Sequence, residues 1–86
     1  MTIIIFDHDG NIVSQSYEEI KQIFPRTGWC EQDAVEVWEK CVSVMKGAMG
    51  SRIRADDIEA IGITTQRSTN LLWDKKSGKP VYNAIT

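Results

Sequence analysis

Two stretches of the chain deliver polar side chains just beyond a short apolar run. The first is Ile3-Ile4-Ile5-Phe6, followed by Asp7-His8-Asp9-Gly10-Asn11. Carboxylates at i and i+2 past a strand end can share a divalent cation, because hard cations take oxygen ligands of this kind. The same residues also make a tight turn, with Asp and Asn bonding nearby backbone and Gly10 free to take a positive φ. The second stretch is Ala60-Ile61-Gly62-Ile63-Thr64, followed by Thr65-Gln66-Arg67-Ser68-Thr69. The carboxyl ends of strands in α/β sheets are where ligands bind. A guanidinium there offers a planar fork of donors suited to hydroxyl or carboxylate oxygens. By residue type alone the signal is weak, because an Arg after a strand is usually a solvated or ion-paired surface residue.

These groups need elements to hold them. Ile3 to Phe6 is apolar on both faces, as in an interior strand. Strand, Asp/Gly/Asn turn and a second strand from Ile12 predict an antiparallel hairpin. Pro25 and Gly28 mark a loop. Asp33 then opens a helix over 34–49 as its N-cap, with Glu36 completing a capping box and Gly50 as the stop. Ala34, Val37, Trp38, Cys41, Val42, Met45, Ala48 and Met49 form its apolar stripe, which reads as core. The expected strands are 2–6, 12–19, 59–65, 70–74 and 80–84, the last two joined by the polar loop from Asp74 to Lys79. Hairpin, helix, strand, hairpin predicts a mixed sheet with a helix on one face.

Composition limits the function further. The 86 residues are enough for one small domain. With a net charge of −2 and ten scattered Lys and Arg, no basic stripe exists to suit nucleic acid or a membrane surface. Cys30 and Cys41 lack the spacing of a metal or redox pair, and two reduced, structural thiols are expected. The apolar N-terminal run is too short for a signal or a membrane span, which leads to a cytoplasmic expectation.

Two families share motifs with these stretches. Asp7-x-Asp9-Gly10 resembles the opening motif of haloacid dehalogenase-type phosphatases, which implies Asp7 as nucleophile, Asp9 as general acid/base and a bound Mg²⁺. The chain departs from that family at Asn11, where Thr is usual, and the family's later Lys and acidic pair would need a longer chain. Residues from about Phe6 to Ile85 resemble the N-terminal region of glycerol kinase, within the sugar and polyol kinases. Phe6-Asp7-His8-Asp9-Gly10-Asn11-Ile12-Val13-Ser14 resembles its first hairpin. Phe24-Pro25, Gly28-Trp29, Glu31-Gln32-Asp33 and Val37-Trp38 resemble the approach to its first helix. Ala60-Ile61-Gly62-Ile63-Thr64-Thr65-Gln66-Arg67 resembles its strand leading to the polyol site. Trp73-Asp74-Lys75, Gly78-Lys79-Pro80 and Val81-Tyr82-Asn83-Ala84-Ile85 resemble the hairpin beyond. Motifs in this order favour the kinase and make Asp7-x-Asp9 a turn.

The resemblance implies an α/β fold of the ribonuclease H-like (actin-like ATPase) type, incomplete here because the family's first, central strand is missing. Either the first hairpin and the strand at 60–64 then pair directly, which is the expectation, or copies self-associate through the open edge. It implies ATP-dependent phosphorylation of glycerol to glycerol 3-phosphate by the full-length family, with Arg67 hydrogen-bonding the polyol and Gln66 beside it. Ser68 stands where the family has Glu. A carboxylate there accepts charge-assisted bonds, each worth roughly 1.5–3 kcal/mol, or about tenfold to a hundredfold in affinity. The family's phosphate loop, catalytic base and nucleotide domain have no counterpart in these residues. No catalytic, ATP-binding or Mg²⁺-binding residue is therefore assigned, and no kinase activity is expected of the chain alone. A small interaction module derived from the kinase domain is the other outcome.

Overall fold

The computed structural model describes residues 1–86. It is a small α/β arrangement of one helix and two separate antiparallel sheets of two strands each. Strand β1 is Thr2–Phe6, β2 is Ile12–Tyr17, β3 is Glu31–Gln32 and β4 is Ala84–Ile85, with helix α1 at Ala34–Met49 and a 3₁₀ turn at Ala55–Asp57. By its contacts the chain divides into two units, residues 1–19 with 40–64 and residues 20–39 with 65–86.

In the first unit, β1 pairs with β2 from Thr2 opposite Tyr17 to Phe6 opposite Ile12, with a bulge between Ile5 and Phe6. Met1 and Glu18 extend the ladder by exchanging backbone bonds of 2.7 and 3.0 Å. Period-2 alternation leaves Ile3, Ile5, Ser14 and Ser16 half-buried on one face, while Ile4 and Phe6 are exposed on the other. Ser14 and Ser16 meet the last turns of α1. The Ser14 hydroxyl donates to the Ala48 carbonyl at 2.5 Å, occupying one of the acceptors that a helix end leaves open. A Cβ on Gly47 would lie 2.7 Å from Ser16 Oγ, so glycine lets the strand approach here. Val44 and Ala48 are the buried apolar residues of this unit.

In the second unit, β3 pairs with β4 through Glu31–Ile85 and Gln32–Ala84, and isolated bridges join Ile23 to Glu31, Asn70 to Ile85 and Trp73 to Pro80. The loop from Asp74 to Lys79 is closed by backbone bonds of 2.8 Å, with Gly78 at φ 74°. Asp74 Oδ1 accepts the Lys76 and Ser77 amides, both at 2.8 Å.

Several expectations are corrected. The helix occupies the predicted span, and Asp33 Oδ1 accepts the Val35 amide at 2.9 Å. Glu36, however, accepts the Lys21 amide instead of closing a capping box on Asp33. Within the stripe, Trp38 is exposed and Val44, outside the predicted set, is the most buried residue. Two overlapping stripes run along α1, and the one meeting Ser14 and Ser16 is covered.

The expected strand at 59–65 is not a strand. Residues 60–66 make no ladder, and Ile61 and Ile63 are 77% and 81% exposed. Nor does it pair with the first hairpin, because β1 has β2 as its single partner. A strand needs a neighbour for its N–H and C=O groups, and these residues have none. The expected strands at 70–74 and 80–84 shrink to bridges. Pro80 has no N–H to give a ladder, and Ala84 pairs with Gln32 instead. The mixed sheet is thus replaced by two antiparallel pairs. Cys30 and Cys41 are free thiols.

Candidate functional site

In the second unit, Glu31 and Gln32 are the buried polar residues, at 2% and 4% exposure. Successive residues of a strand point to opposite faces, so the two side chains reach different segments. Glu31 Oε2 accepts the Tyr82 hydroxyl at 2.9 Å and Oε1 accepts Asn83 Nδ2 at 3.0 Å. The bond to this carboxylate holds the Tyr82 phenol above its usual pKa, since ionising it would set two negative charges side by side. On the other face, Gln32 Oε1 accepts Gln66 Nε2 at 3.0 Å. No buried side-chain polar atom is left without a partner, as the cost of an unpaired buried group requires.

The three expected site residues follow one another here, but not at a strand end. Arg67 and Ser68 form a turn after an unpaired stretch. Ser68 has φ 68°, a left-handed conformation uncommon outside glycine. The turn is tied down on both sides. Before it, Gln66 is bonded to Gln32. After it, Asn70 exchanges 2.9 Å backbone bonds with Ile85, and its Nδ2 donates to the Ser68 carbonyl at 3.2 Å. Arg67 itself is exposed and its guanidinium forms no ion pair or hydrogen bond. It is a donor fork on an anchored turn, free to meet hydroxyl oxygens. Sequence reasoning missed Glu31, Gln32, Tyr82 and Asn83 as the supporting groups. Two adjacent polar residues after a Gly-Trp loop carry no periodicity, so no signal marked them as buried.

The carboxylate stretch from Asp7 to Asn11 does something else. Asp7 Oδ1 accepts the Asp9 and Asn11 amides at 3.0 and 2.9 Å, and Oδ2 accepts Asn11 Nδ2 at 3.3 Å. These bonds, led by the one from the Asn11 amide, hold the Asp7 carboxyl below its usual pKa. The carboxylate is spent on closing the hairpin, with Gly10 at φ 82°. His8 faces Glu59 at 3.5 Å in full exposure. No three His, Cys, Asp or Glu side chains gather in metal-binding geometry. With Asp7 held by three bonds inside the turn, the arrangement does not favour the phosphatase reading. An open, mainly apolar groove of about 500 Å³ lies among Met49, Ala55, Ile58, Glu59, Ala60 and Ile61, and none of Gln66, Arg67 and Ser68 lines it. No helix is long and apolar enough to cross a membrane.

Comparison with known proteins follows the kinase resemblance. Over 83 residues, 95% of this chain, it is 54% identical to glycerol kinase 2 of Thermotoga maritima, 52% to a glycerol kinase of Thermoanaerobacter sp. and 47% to one of Haloarcula marismortui. The chain spans 17% of the length of the first two and 16% of the third. The model of the N-terminal domain of the FGGY carbohydrate kinases matches residues 1–86. The chain therefore belongs to the FGGY family of carbohydrate kinases, through that family's N-terminal domain.

Proposed function

We propose that these 86 residues supply polyol-contacting groups to a glycerol kinase, a cytoplasmic enzyme that transfers the γ-phosphoryl group of ATP to glycerol and yields glycerol 3-phosphate. The observation that carries this reading is the identity of 47–54% to glycerol kinases across 95% of the chain. Arg67 donates to polyol hydroxyls and Ser68 makes a weaker contact where the family carries Glu. Phosphoryl transfer works by positioning and electrostatics around the phosphates and their metal. None of this chain's residues is assigned to ATP or Mg²⁺, and the chain alone transfers no phosphoryl group.

The fold belonging to this reading is an incomplete ribonuclease H-like (actin-like ATPase) domain. Its support is an open sheet edge. The hydrogen-bonded pairs of the first hairpin are Met1–Glu18 and, two residues on each time, Ile3–Ser16 and Ile5–Ser14. Thr2, Ile4 and Phe6 thus turn their backbone groups outward along β1. A further central strand fits there, and a second copy of the chain is the competing occupant.

The test is a chimera in which the matched 83 residues of the Thermotoga kinase are replaced by those of this chain. ATP-dependent phosphorylation of glycerol is expected, with KM for glycerol raised roughly tenfold to a hundredfold over the parent by Ser68. Ser68→Glu should recover most of that loss, and Arg67→Ala should raise KM further. An Arg67→Ala chimera with unchanged KM would sink the reading.

A further inference from the structure

The sequence alone places Gln66 beside Arg67 as a second candidate polyol ligand. The geometry points to another role. We propose that Gln66 and Gln32 form a strut that positions Arg67, with Gln32 as its buried anchor and neither residue touching the polyol. The identity of the ligand rests on the glycerol kinase reading; the strut itself does not.

Three observations carry the inference. The Gln66 carboxamide nitrogen is bonded to Gln32 Oε1 at 3.0 Å, which commits one of its two N–H donors and turns the side chain toward β3. Gln32 is 4% exposed and sits in β3, where it pairs with Ala84. It is therefore a fixed support, unlike a mobile surface amide. The unpaired stretch 60–66 also gives Arg67 no ladder of its own on the N-terminal side. A side chain of several rotatable bonds on such a segment loses rotamer freedom when it grips a ligand. Fixing the backbone beforehand reduces the ordering left for binding. The bond between Gln66 and Gln32 fixes the turn from one side, as Asn70 and Ile85 do from the other.

The strut explains why a long, neutral, buried amide is useful at position 32. A carboxylate there would add a second negative charge beside Glu31. An apolar residue would leave Gln66 to swing into solvent.

The experiment uses the isotopically labelled 86-residue chain in solution NMR, with glycerol as the probe. In the wild type, a through-bond coupling between the Gln66 side-chain amide and the Gln32 side-chain carbonyl is expected, together with slowed exchange of that amide. Gln66→Met and Gln32→Met should each raise the fast motion of the Arg67 backbone amide and Nε. The double variant should be no worse than either single change. Gln66→Glu can still accept from the Gln32 amide and should keep Arg67 ordered. Glycerol binding reported at Arg67 should weaken about threefold to tenfold on loss of this one bond.

A freely exchanging Gln66 amide in the wild type overturns the proposal. So does unchanged Arg67 motion in Gln66→Met, a substitution at an exposed residue that leaves the fold intact. If glycerol shifts nothing in the wild type, the 86 residues do not hold the polyol by themselves, the chimera decides the polyol reading, and the coupling and motion of Arg67 still decide the strut.

Discussion

The two units use opposite means to hold their chain. Residues 1–19 and 40–64 rely on regular elements, a five-rung hairpin and a helix whose buried contacts are Val44 and Ala48. Residues 20–39 and 65–86 contain strands of two residues, three isolated bridges and two buried polar side chains, each tied to a different segment. Repetition holds the first unit and single specific bonds hold the second. A ladder loses little when one rung weakens. A hub loses everything that converges on it. The expected site residues belong to the second kind, where position is set by a few side chains and can be tuned by changing one.

The largest effect that would break this contrast is at Glu31. Glu31→Ala removes the acceptor of Tyr82 and Asn83 and leaves a buried void. Hydrogen bonds to a charged group contribute about 1.5–3 kcal/mol each, so a loss of about 3 kcal/mol is expected. Amide exchange should accelerate at Ile23, Asn70 and Ile85 and change little at Ile3 and Ile5. Equal acceleration in both units would show that they unfold together. The mirror experiment is Val44→Ala. Removing two buried carbons and leaving a small cavity costs about 2 kcal/mol. The amides of α1 from Cys41 onward should respond before those of β3. A smaller effect comes from Asp33→Ala, which removes the acceptor of the Val35 amide and costs about 1 kcal/mol. Circular dichroism at 222 nm should show earlier thermal loss of helix, and an unchanged melt would mean that the cap contributes nothing.

The contrast also explains what could be read in advance. The first hairpin and α1 are announced by periodicity and by turn and cap residues, because regular elements repeat their signal. Val44 was missed because α1 carries two stripes, and only the approach of Ser14 and Ser16 selects between them. The stretch 60–64 was misread for a different reason. Ala-Ile-Gly-Ile-Thr has the composition of a buried strand, but a strand exists only with a partner, and partnership is not a local property. Arg67 and Ser68 were legible as a polar turn after an apolar run. Glu31 and Gln32 were not. Their burial follows from Tyr82, Asn83 and Gln66, which lie 34 to 52 residues away in sequence.

Titration sharpens the comparison with the smallest expected effects. Asp7 in the first unit and Asp74 in the second close their turns as carboxylates. Each has its pKa lowered below the ordinary 3.8, chiefly by backbone amides of Asn11 and of Ser77. A lowered pKa in the folded state means stability that is present above the unfolded value and is lost as pH falls through the folded one. Both turns should therefore loosen together below pH 3.8. At the alkaline end the second unit carries a group of its own. Tyr82 has its pKa raised above 10.0 by its bond to Glu31, so its contribution is present below pH 10 and disappears as pH rises through the folded value. Following amide shifts of Gly10, Gly78 and Asn83 against pH should give two acid transitions and one alkaline transition, with Asn83 reporting the latter. The phenol bond lies on the same carboxylate that anchors Asn83, so the alkaline transition should vanish in Tyr82→Phe while both acid transitions persist. An alkaline response at Gly10 in the wild type that vanishes in that variant would mean that the two units do not answer to separate groups, and the division between ladder and hub would have to be abandoned.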